Sequence, residues 1–215
     1  MFKRLAALFV PVAAAFALAP AALASGGHYV FDGGTSFERS QVTQALNAST
    51  FPWDIVPGTI VVHIGAFPIS DADPGELWLD SSLLDSGEFS WGVVQHEYGH
   101  QVDFSLLTAA DRTQLAALLG GSSWWNDGVG AHGDFTCERF ASTLAWAYWP
   151  SRENVMEPQS SHDEAGHVSP AAFRAALAAL VPQAIPTARV LQADKAPAQA
   201  SPKRGTSAAR KRATH

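Results

Sequence analysis

The chain has 215 residues, and its 14 Lys and Arg against 20 Asp and Glu give a formal net charge of −6. The charge is unevenly distributed, because residues 25–194 carry 6 basic and 20 acidic side chains, whereas residues 195–215 carry 6 basic and no acidic ones. An acidic domain argues against a nucleic-acid binder whose affinity depends on phosphate neutralisation. A hydrophobic content of 47% with seven Trp excludes a wholly disordered chain, and residues 25–188 have the length of one domain with a core.

The first 24 residues have the pattern of a secretory signal peptide. Lys3 and Arg4 form a cationic start, an apolar run follows over 5–18, and small residues close the segment at 22–24. We expect cleavage before Ser25, since an uncleaved anchor is disfavoured by so short an apolar run, interrupted by proline. The predicted division is a signal peptide at 1–24, a folded domain at 25–188 and a basic disordered tail at 189–215. The mature protein is expected to be secreted, either to the extracellular medium or to the periplasmic or cell-wall space, without a membrane span.

Hydrophobic periodicity and turn residues predict two strands and five helices. In chain order we expect a helix at 36–47, strands at 58–65 and 75–80, and helices at 90–104, 111–119, 134–149 and 169–182. Pro–Gly pairs precede both strands, and Gly120 and Pro150 end two of the helices. This order predicts an α+β fold, with a small mixed sheet packed on a helix and a mainly helical C-terminal part.

Residues 96–100 read HEYGH, the pattern H-E-x-x-H, inside the predicted helix at 90–104. Histidines four residues apart project from one helix face, so His96 and His100 can bind one ion, and Glu97 can reach a water on it. In a chain with this length and this content of His and Glu, the expected number of chance matches to the pattern is only about 0.01. The alternative is a surface helix with two solvated histidines, which the valines flanking the motif disfavour.

A catalytic zinc site usually has three protein ligands and one open position. The downstream side chains that could supply the third ligand are His132, Asp134, Glu138, His162, Asp163, Glu164 and His167. The segment CERFAS at 137–142 resembles the E-x-F-A segment of gluzincin peptidases, in which a second helix supplies the zinc-binding Glu. The resemblance covers the helices at 90–104 and 134–149, and it implies a zincin-like fold, a Zn²⁺ cofactor and Glu138 as the third ligand. The alternatives are Asp134 as the ligand, or a solvent-exposed carboxylate at Glu138.

Two further roles follow from the resemblance. The better-known gluzincin pattern has an Asp four residues after the zinc Glu, where it orients a ligand histidine, and this chain has Ser142 there. Either the Ser142 hydroxyl or Asp103, on the helix of the motif, is expected to take this role. Some gluzincins place a transition-state donor just upstream of the zinc Glu, where this chain has His132. His132 could also be a ligand or a plain loop residue, and Tyr148 and His167 are reserve donors.

Other segments carry less specific expectations. The strand at 75–80 is either an edge strand that pairs with an extended substrate, as in zincins, or an interior strand. The aromatic residues at 124–125 and 146–149 line specificity pockets or belong to the core. The loop at 162–167 (HDEAGH) has metal-capable side chains without helical spacing, so a solvated loop is expected. Cys137 is expected to be buried and to point away from the metal site.

The resemblance implies a secreted zinc metallopeptidase whose partner is a peptide or protein substrate. In the expected mechanism Glu97 is the general base and His132 stabilises the transition state. The alternatives are a non-catalytic exported binding protein in which the metal is a structural staple, and a zinc hydrolase of cell-wall amide bonds. The basic tail could make weak contact with anionic cell-envelope polymers or simply aid solubility, and no nucleic-acid partner is required.

Overall fold

The computed structural model describes residues 27–125 and 129–184. The predicted signal peptide at 1–24 and basic tail at 189–215 lie outside the described residues. The described part combines a four-stranded sheet with six α-helices, which confirms the predicted α+β class. The strands are β1 (Tyr29–Gly33), β2 (Ile60–Gly65), β3 (Asp71–Asp73) and β4 (Glu76–Asp80); the helices are α1 (Ser36–Ala48), α2 (Ser81–Leu84), α3 (Trp91–Leu106), α4 (Ala109–Leu119), α5 (Thr136–Tyr148) and α6 (Pro170–Leu180).

The sheet has the strand order β1–β2–β4–β3. β1, β2 and β4 are parallel, whereas β3 pairs antiparallel with β4 and places Ala72 opposite Leu77. β4 is therefore an interior strand, the second of the two alternatives for the strand at 75–80, and the free edge beside it is β3. Periodicity missed both β1 and β3, because β3 has only three residues, DAD, and neither strand shows a clear alternation.

Side-chain caps set several helix boundaries. Capping boxes pair Thr35 with Glu38 at the start of α1, and Thr108 with Asp111 at the start of α4. The Ser169 side chain caps α6, in which Pro170 is the first residue. α5 begins at Thr136 and not at 134, because residues His132–Asp134 form a separate 3-10 turn. Among the described residues, no helix has the length and hydropathy needed to cross a bilayer.

α3 is the helix around which the site is built, and it contacts α1, α5 and the β3–β4 end of the sheet. Val94, Tyr98 and Val102 on this helix are fully buried in the core. Gly99 faces α5 at the crossing, where a Cβ at this position would lie 3.4 Å from the Cα of Ala141, in van der Waals contact. The close crossing brings the face of α3 that carries the motif histidines against the N-terminal half of α5.

Gln101 attaches the β3–β4 turn to α3. Its buried amide nitrogen donates to the carbonyl oxygens of Asp73 at 2.8 Å and Glu76 at 3.1 Å. Its amide oxygen accepts a hydrogen bond from the backbone N–H of Gly75 at 2.8 Å. These three hydrogen bonds hold the edge strand β3 against α3, next to His100.

Candidate metal centre

Three buried side chains from two helices converge at the α3–α5 crossing. α3 supplies His96 and His100, one turn apart, and α5 supplies Glu138. The two Nε2 atoms lie 3.2 Å apart, and each lies 3.2 Å from Oε2 of Glu138. These side chains, which we call the ligand triangle, belong to residues that are only 4–7% exposed. The structure brings the motif histidines and the predicted third ligand together, and this group could hold a metal ion.

The ligand triangle has the dimensions that a tetrahedral metal site requires. Zinc binds His nitrogen and carboxylate oxygen at roughly 2.0–2.2 Å, which places neighbouring ligand atoms about 3.3 Å apart. The observed separations of 3.2 Å match this spacing. Two imidazoles and one carboxylate also leave a fourth position for water or substrate. In residues 27–125 and 129–184, no other group of three or more metal-capable side chains converges in this way.

Glu138 is an ionised carboxylate in a buried setting. Burial opposes its ionisation, yet hydrogen bonds with His100, His132 and His96 hold its pKa far below the ordinary value. Burial would lower the pKa of His100, but the hydrogen bond and charge of Glu138 outweigh it and raise that pKa. The centre therefore needs a positive partner for its carboxylate, either a protonated imidazole or a bound cation.

Ser142, and not Asp103, contacts the far nitrogen of a ligand histidine. The Oγ of Ser142 lies 3.0 Å from Nδ1 of His96. The carboxylate of Asp103 instead accepts hydrogen bonds from Nε of Arg112 at 2.7 Å and from Nε1 of Trp124 at 2.8 Å. Burial raises the pKa of Asp103 despite these two hydrogen bonds. Asp103 thus ties α3 to α4 and to the segment before α5, and the hypothesis that it orients a ligand histidine is not supported.

His132 lies at the open side of the ligand triangle. Its Nε2 lies 3.1 Å from Oε2 of Glu138, and its side chain is 57% exposed. It is not one of the residues whose ligand atoms all lie within 4.8 Å of one another. Hydrogen bonds with Glu138 and Glu164 raise its pKa to about 10, so in this arrangement both ring nitrogens carry protons at neutral pH. A cationic N–H group faces the site.

Two other candidates have structural roles elsewhere. Oδ2 of Asp134 accepts a hydrogen bond from the backbone N–H of Ala131 at 2.9 Å and so stabilises the turn that carries His132. The buried hydroxyl of Tyr148 donates to the carbonyl of Ala184 at 2.9 Å. Within the described residues, neither side chain contacts the ligand triangle.

Glu164 is a site residue, although the sequence of its loop predicts a solvated segment. Its Oε1 lies 2.8 Å from Nδ1 of His132, and its Oε2 accepts a hydrogen bond from Oγ of Ser142 at 2.6 Å. Burial favours the protonated form, but the hydrogen bonds with His132 and Ser142 hold the pKa of Glu164 below its ordinary value. His162 and Asp163 are exposed, as expected of the loop. The sequence signal for such a residue was Ser142. The gluzincin pattern has a carboxylate at that position, so a carboxylate from elsewhere in the chain could be expected near His96.

Glu97 lies beside the ligand triangle without belonging to it. The residue is 7% exposed and precedes the turn of α3 that ends in His100. Burial raises its pKa, and the positive charges of His96 and His100 only partly offset this effect. A buried carboxylate with a raised pKa is a stronger base than an exposed one, as a general base requires.

A cavity of about 250 Å³ opens beside the ligand triangle, between the edge strand and a group of aromatic side chains. It is lined by Asp71, Ala72, Asp73, His100, Phe104, Trp125, Cys137 and Glu138. The rings of His100, Phe104 and Trp125 form a stacked series, with centroid separations of 6.1 Å and 5.9 Å. The cavity therefore joins a strand edge, an aromatic wall and two members of the ligand triangle.

The structure separates the aromatic residues that line the cavity from those that belong to the core. Trp125 is 47% exposed in the cavity, whereas Trp124 packs against the core. Trp149 is buried and packs on Trp91, with ring centroids 5.6 Å apart. Cys137 is buried as expected, but the expectation that it points away from the site is wrong, because its Sγ lies 3.5 Å from Oε1 of Glu138.

No protein-family model matches the chain, and no curated protein or solved structure is significantly similar to it. The resemblance to gluzincins rests on the HEYGH and CERFAS segments.

Proposed function

We propose that this chain is a secreted zinc peptidase with a zincin-like active site. The observation that carries the proposal is the ligand triangle of His96, His100 and Glu138 with the buried carboxylate of Glu97 beside it. A donor set of two His and one Glu is typical of catalytic zinc. Export is inferred from the N-terminal signal pattern alone.

Glu97 favours a catalytic site over a structural staple. A staple needs ligands only, and a buried carboxylate that binds neither metal nor a cationic side chain lowers stability. Here such a carboxylate lies next to the ligands, with its pKa raised by burial. It would accept a proton from the attacking water and return it to the leaving amine.

The site also has a donor for the negative charge that develops in amide hydrolysis. Zinc, when bound, acts as a Lewis acid toward water and the scissile carbonyl. The Nε2–H of His132 lies on the exposed side of the ligand triangle, 3.1 Å from Oε2 of Glu138. Glu138 and Glu164 hold this imidazole in its protonated form. A preorganised donor in that place stabilises the transition state more than the ground state.

A peptide fits the surroundings of the site. β3 is the free edge of the sheet, antiparallel to β4, and its residues line the cavity beside His100. In zincins an extended substrate pairs with the sheet edge beside the active-site helix, and β3 has that position here. Because the strand is only three residues long, main-chain pairing there would be brief. The half-exposed ring of Trp125 offers an apolar contact for one side chain of the substrate.

The deciding experiment compares wild type with Glu97→Gln and, as a matched control, Glu88→Gln, which changes an exposed glutamate at the start of the same helical region. Each mature protein is analysed for zinc and incubated with unfolded protein, a peptide library and cross-linked peptidoglycan. We expect about one zinc per chain in all three proteins and peptide cleavage that Glu97→Gln lowers by roughly 10²–10⁴-fold. Equal cleavage by Glu97→Gln contradicts the mechanism, and cleavage confined to peptidoglycan replaces the peptidase proposal with a cell-wall amidase.

A further inference from the structure

One carboxylate joins the ligand triangle to His132. The Oε2 of Glu164 accepts a hydrogen bond from Ser142, whose Oγ lies 3.0 Å from Nδ1 of His96. The Oε1 of the same carboxylate lies 2.8 Å from Nδ1 of His132. Glu164 therefore contacts Nδ1 of His132 directly and Nδ1 of His96 through the Ser142 hydroxyl. The Nε2 atoms of both imidazoles face the site.

The direction of each hydrogen bond follows from the number of available protons. An ionised carboxylate only accepts, so the single hydroxyl proton of Ser142 points to Glu164 across the 2.6 Å contact. The sulfur of Met156 lies 3.5 Å from the same Oγ and is the weaker and more distant acceptor. With its proton committed, the Ser142 oxygen must accept the hydrogen bond from Nδ1–H of His96. When the ring is neutral, as metal binding requires, it is then the tautomer whose Nε2 lone pair points into the ligand triangle.

We propose that Glu164 is a positioning residue that fixes the metal-binding tautomer of His96 through Ser142 and orients His132 directly. The second half of this proposal rests on the proposed peptidase function, whereas the first half requires only a metal site. Glu164 thus supplies, from a loop 22 residues further along the chain, the carboxylate that the gluzincin pattern has at the position of Ser142. Outer partners of ligand histidines commonly alter metal affinity by roughly 10–100-fold.

The loop does not need the Glu164 carboxylate for its own conformation. The side chain of Asp163 accepts hydrogen bonds from the backbone N–H groups of Gln159 at 2.6 Å and Ser160 at 2.9 Å. The backbone of Gly166 donates to the carbonyl of Asp163 at 2.8 Å, and Ala165 is buried. The Glu164 side chain is therefore free to point into the site, and its substitution can be separated from a loss of loop structure.

Glu164→Gln is the informative change, because it keeps the shape and lets the side chain donate. An amide N–H that donates to the Ser142 oxygen would let the Ser142 hydroxyl donate to Nδ1 of His96. The neutral ring would then carry its one proton on Nε2, which blocks metal binding. Zinc affinity is measured on the mature chain by competition with a chromophoric chelator for wild type, Glu164→Gln, Ser142→Ala and the double variant. Asp163→Asn is the loop control.

We expect Glu164→Gln to weaken zinc binding by roughly 10–100-fold, and Ser142→Ala to weaken it by a similar factor. The double variant should bind no more weakly than Ser142→Ala alone, since the carboxylate acts on His96 only through that hydroxyl. Asp163→Asn should stay within about twofold of wild type, and the zinc-free forms of wild type and Glu164→Gln should melt at the same temperature. Wild-type affinity in Glu164→Gln, additive losses in the double variant, or an equal loss in Asp163→Asn overturns the tautomer role.

Peptide hydrolysis at saturating zinc tests the direct contact with His132. There Glu164→Gln should lower kcat with little change in KM, whereas the loop control Asp163→Asn should leave kcat close to wild type. Equal kcat values in the two variants overturn the role of Glu164 toward His132. Wild-type protein that binds zinc but cleaves no peptide contradicts the proposed function, and the affinity measurements still decide the tautomer role. Wild-type protein that binds no zinc overturns both.

Discussion

The stability of this domain should depend on bound zinc, and the Glu138 carboxylate should be needed for that dependence. The chain has one cysteine and hence no internal disulfide, and the ligand triangle joins the two helices that cross at the centre of the fold. Any ligand that binds only the folded state stabilises it by RT ln(1 + [L]/Kd), about 2.7 kcal/mol at a free concentration 100 times Kd. For a domain of this size each kcal/mol raises Tm by roughly 2–4 °C, so saturating zinc should raise Tm by roughly 5–11 °C.

Glu138→Ala should remove most of this zinc-dependent increase, because it leaves two histidines and opens the site to a second water. The quantity to compare is the change in Tm on adding zinc to chelator-treated protein. The variant also loses the hydrogen bonds of Glu138 to three imidazoles, so absolute values of Tm differ for other reasons. Asp134→Ala is the control, since that carboxylate lies outside the ligand triangle and binds the backbone of Ala131.

Thermal unfolding followed by circular dichroism over a zinc titration supplies the measurement. Wild type and Asp134→Ala should show a Tm that rises with the logarithm of free zinc, whereas Glu138→Ala should show almost none of this rise. A rise of equal size in Glu138→Ala would refute the assignment of the third ligand. Loss of the rise in Asp134→Ala alone would transfer that role to Asp134.

Three further changes test neighbouring contacts. His132→Ala should keep zinc affinity within a few-fold of wild type and lower kcat by roughly 10²-fold or more, and a loss confined to metal binding would make His132 a ligand. Asp103→Ala should destabilise the fold by about 3–5 kcal/mol in denaturant unfolding, because Arg112 loses its buried partner, but zinc affinity per folded molecule should not change. Gln101→Ala, which removes three hydrogen bonds to the β3–β4 turn, should cost about 1–3 kcal/mol and raise KM more than it lowers kcat, and an unchanged KM would argue against substrate pairing at β3.

The parts of the site that sequence could predict are those encoded by spacing along one helix. α3 carries His96 and Glu97 on one turn and His100 on the next, so the relative positions of these side chains follow from helical geometry once the segment is known to be helical. Glu138 could be proposed from its resemblance to a known segment, but nothing in the spacing of 38 residues from His100 places it at 3.2 Å. That distance depends on the α3–α5 crossing, in which Gly99 packs against Ala141.

The contacts that sequence could not predict join loops to helices across long separations. Ser142 and Glu164 are 22 residues apart and His132 and Glu164 are 32 apart, and no periodicity links a loop carboxylate to either partner. The edge strand β3 was missed for a different reason: its DAD sequence resembles a turn, and it is extended because of its pairing with β4 and the hydrogen bonds of Gln101. In both cases tertiary contacts decide the local conformation.

The division between helices and loops has a consequence for how the site would function. The ligand triangle comes from two packed helices, so the spacing of its atoms is set by backbone packing that hardly changes when a surface residue is replaced. His132 and Glu164 come from 3-10 turns at the rim, where His132 is more than half exposed. Metal binding should therefore tolerate changes in these turns better than turnover does, apart from the tautomer effect transmitted by Ser142. Variation in the rim turns could then alter rate or substrate choice while the metal site and the fold that it stabilises remain intact.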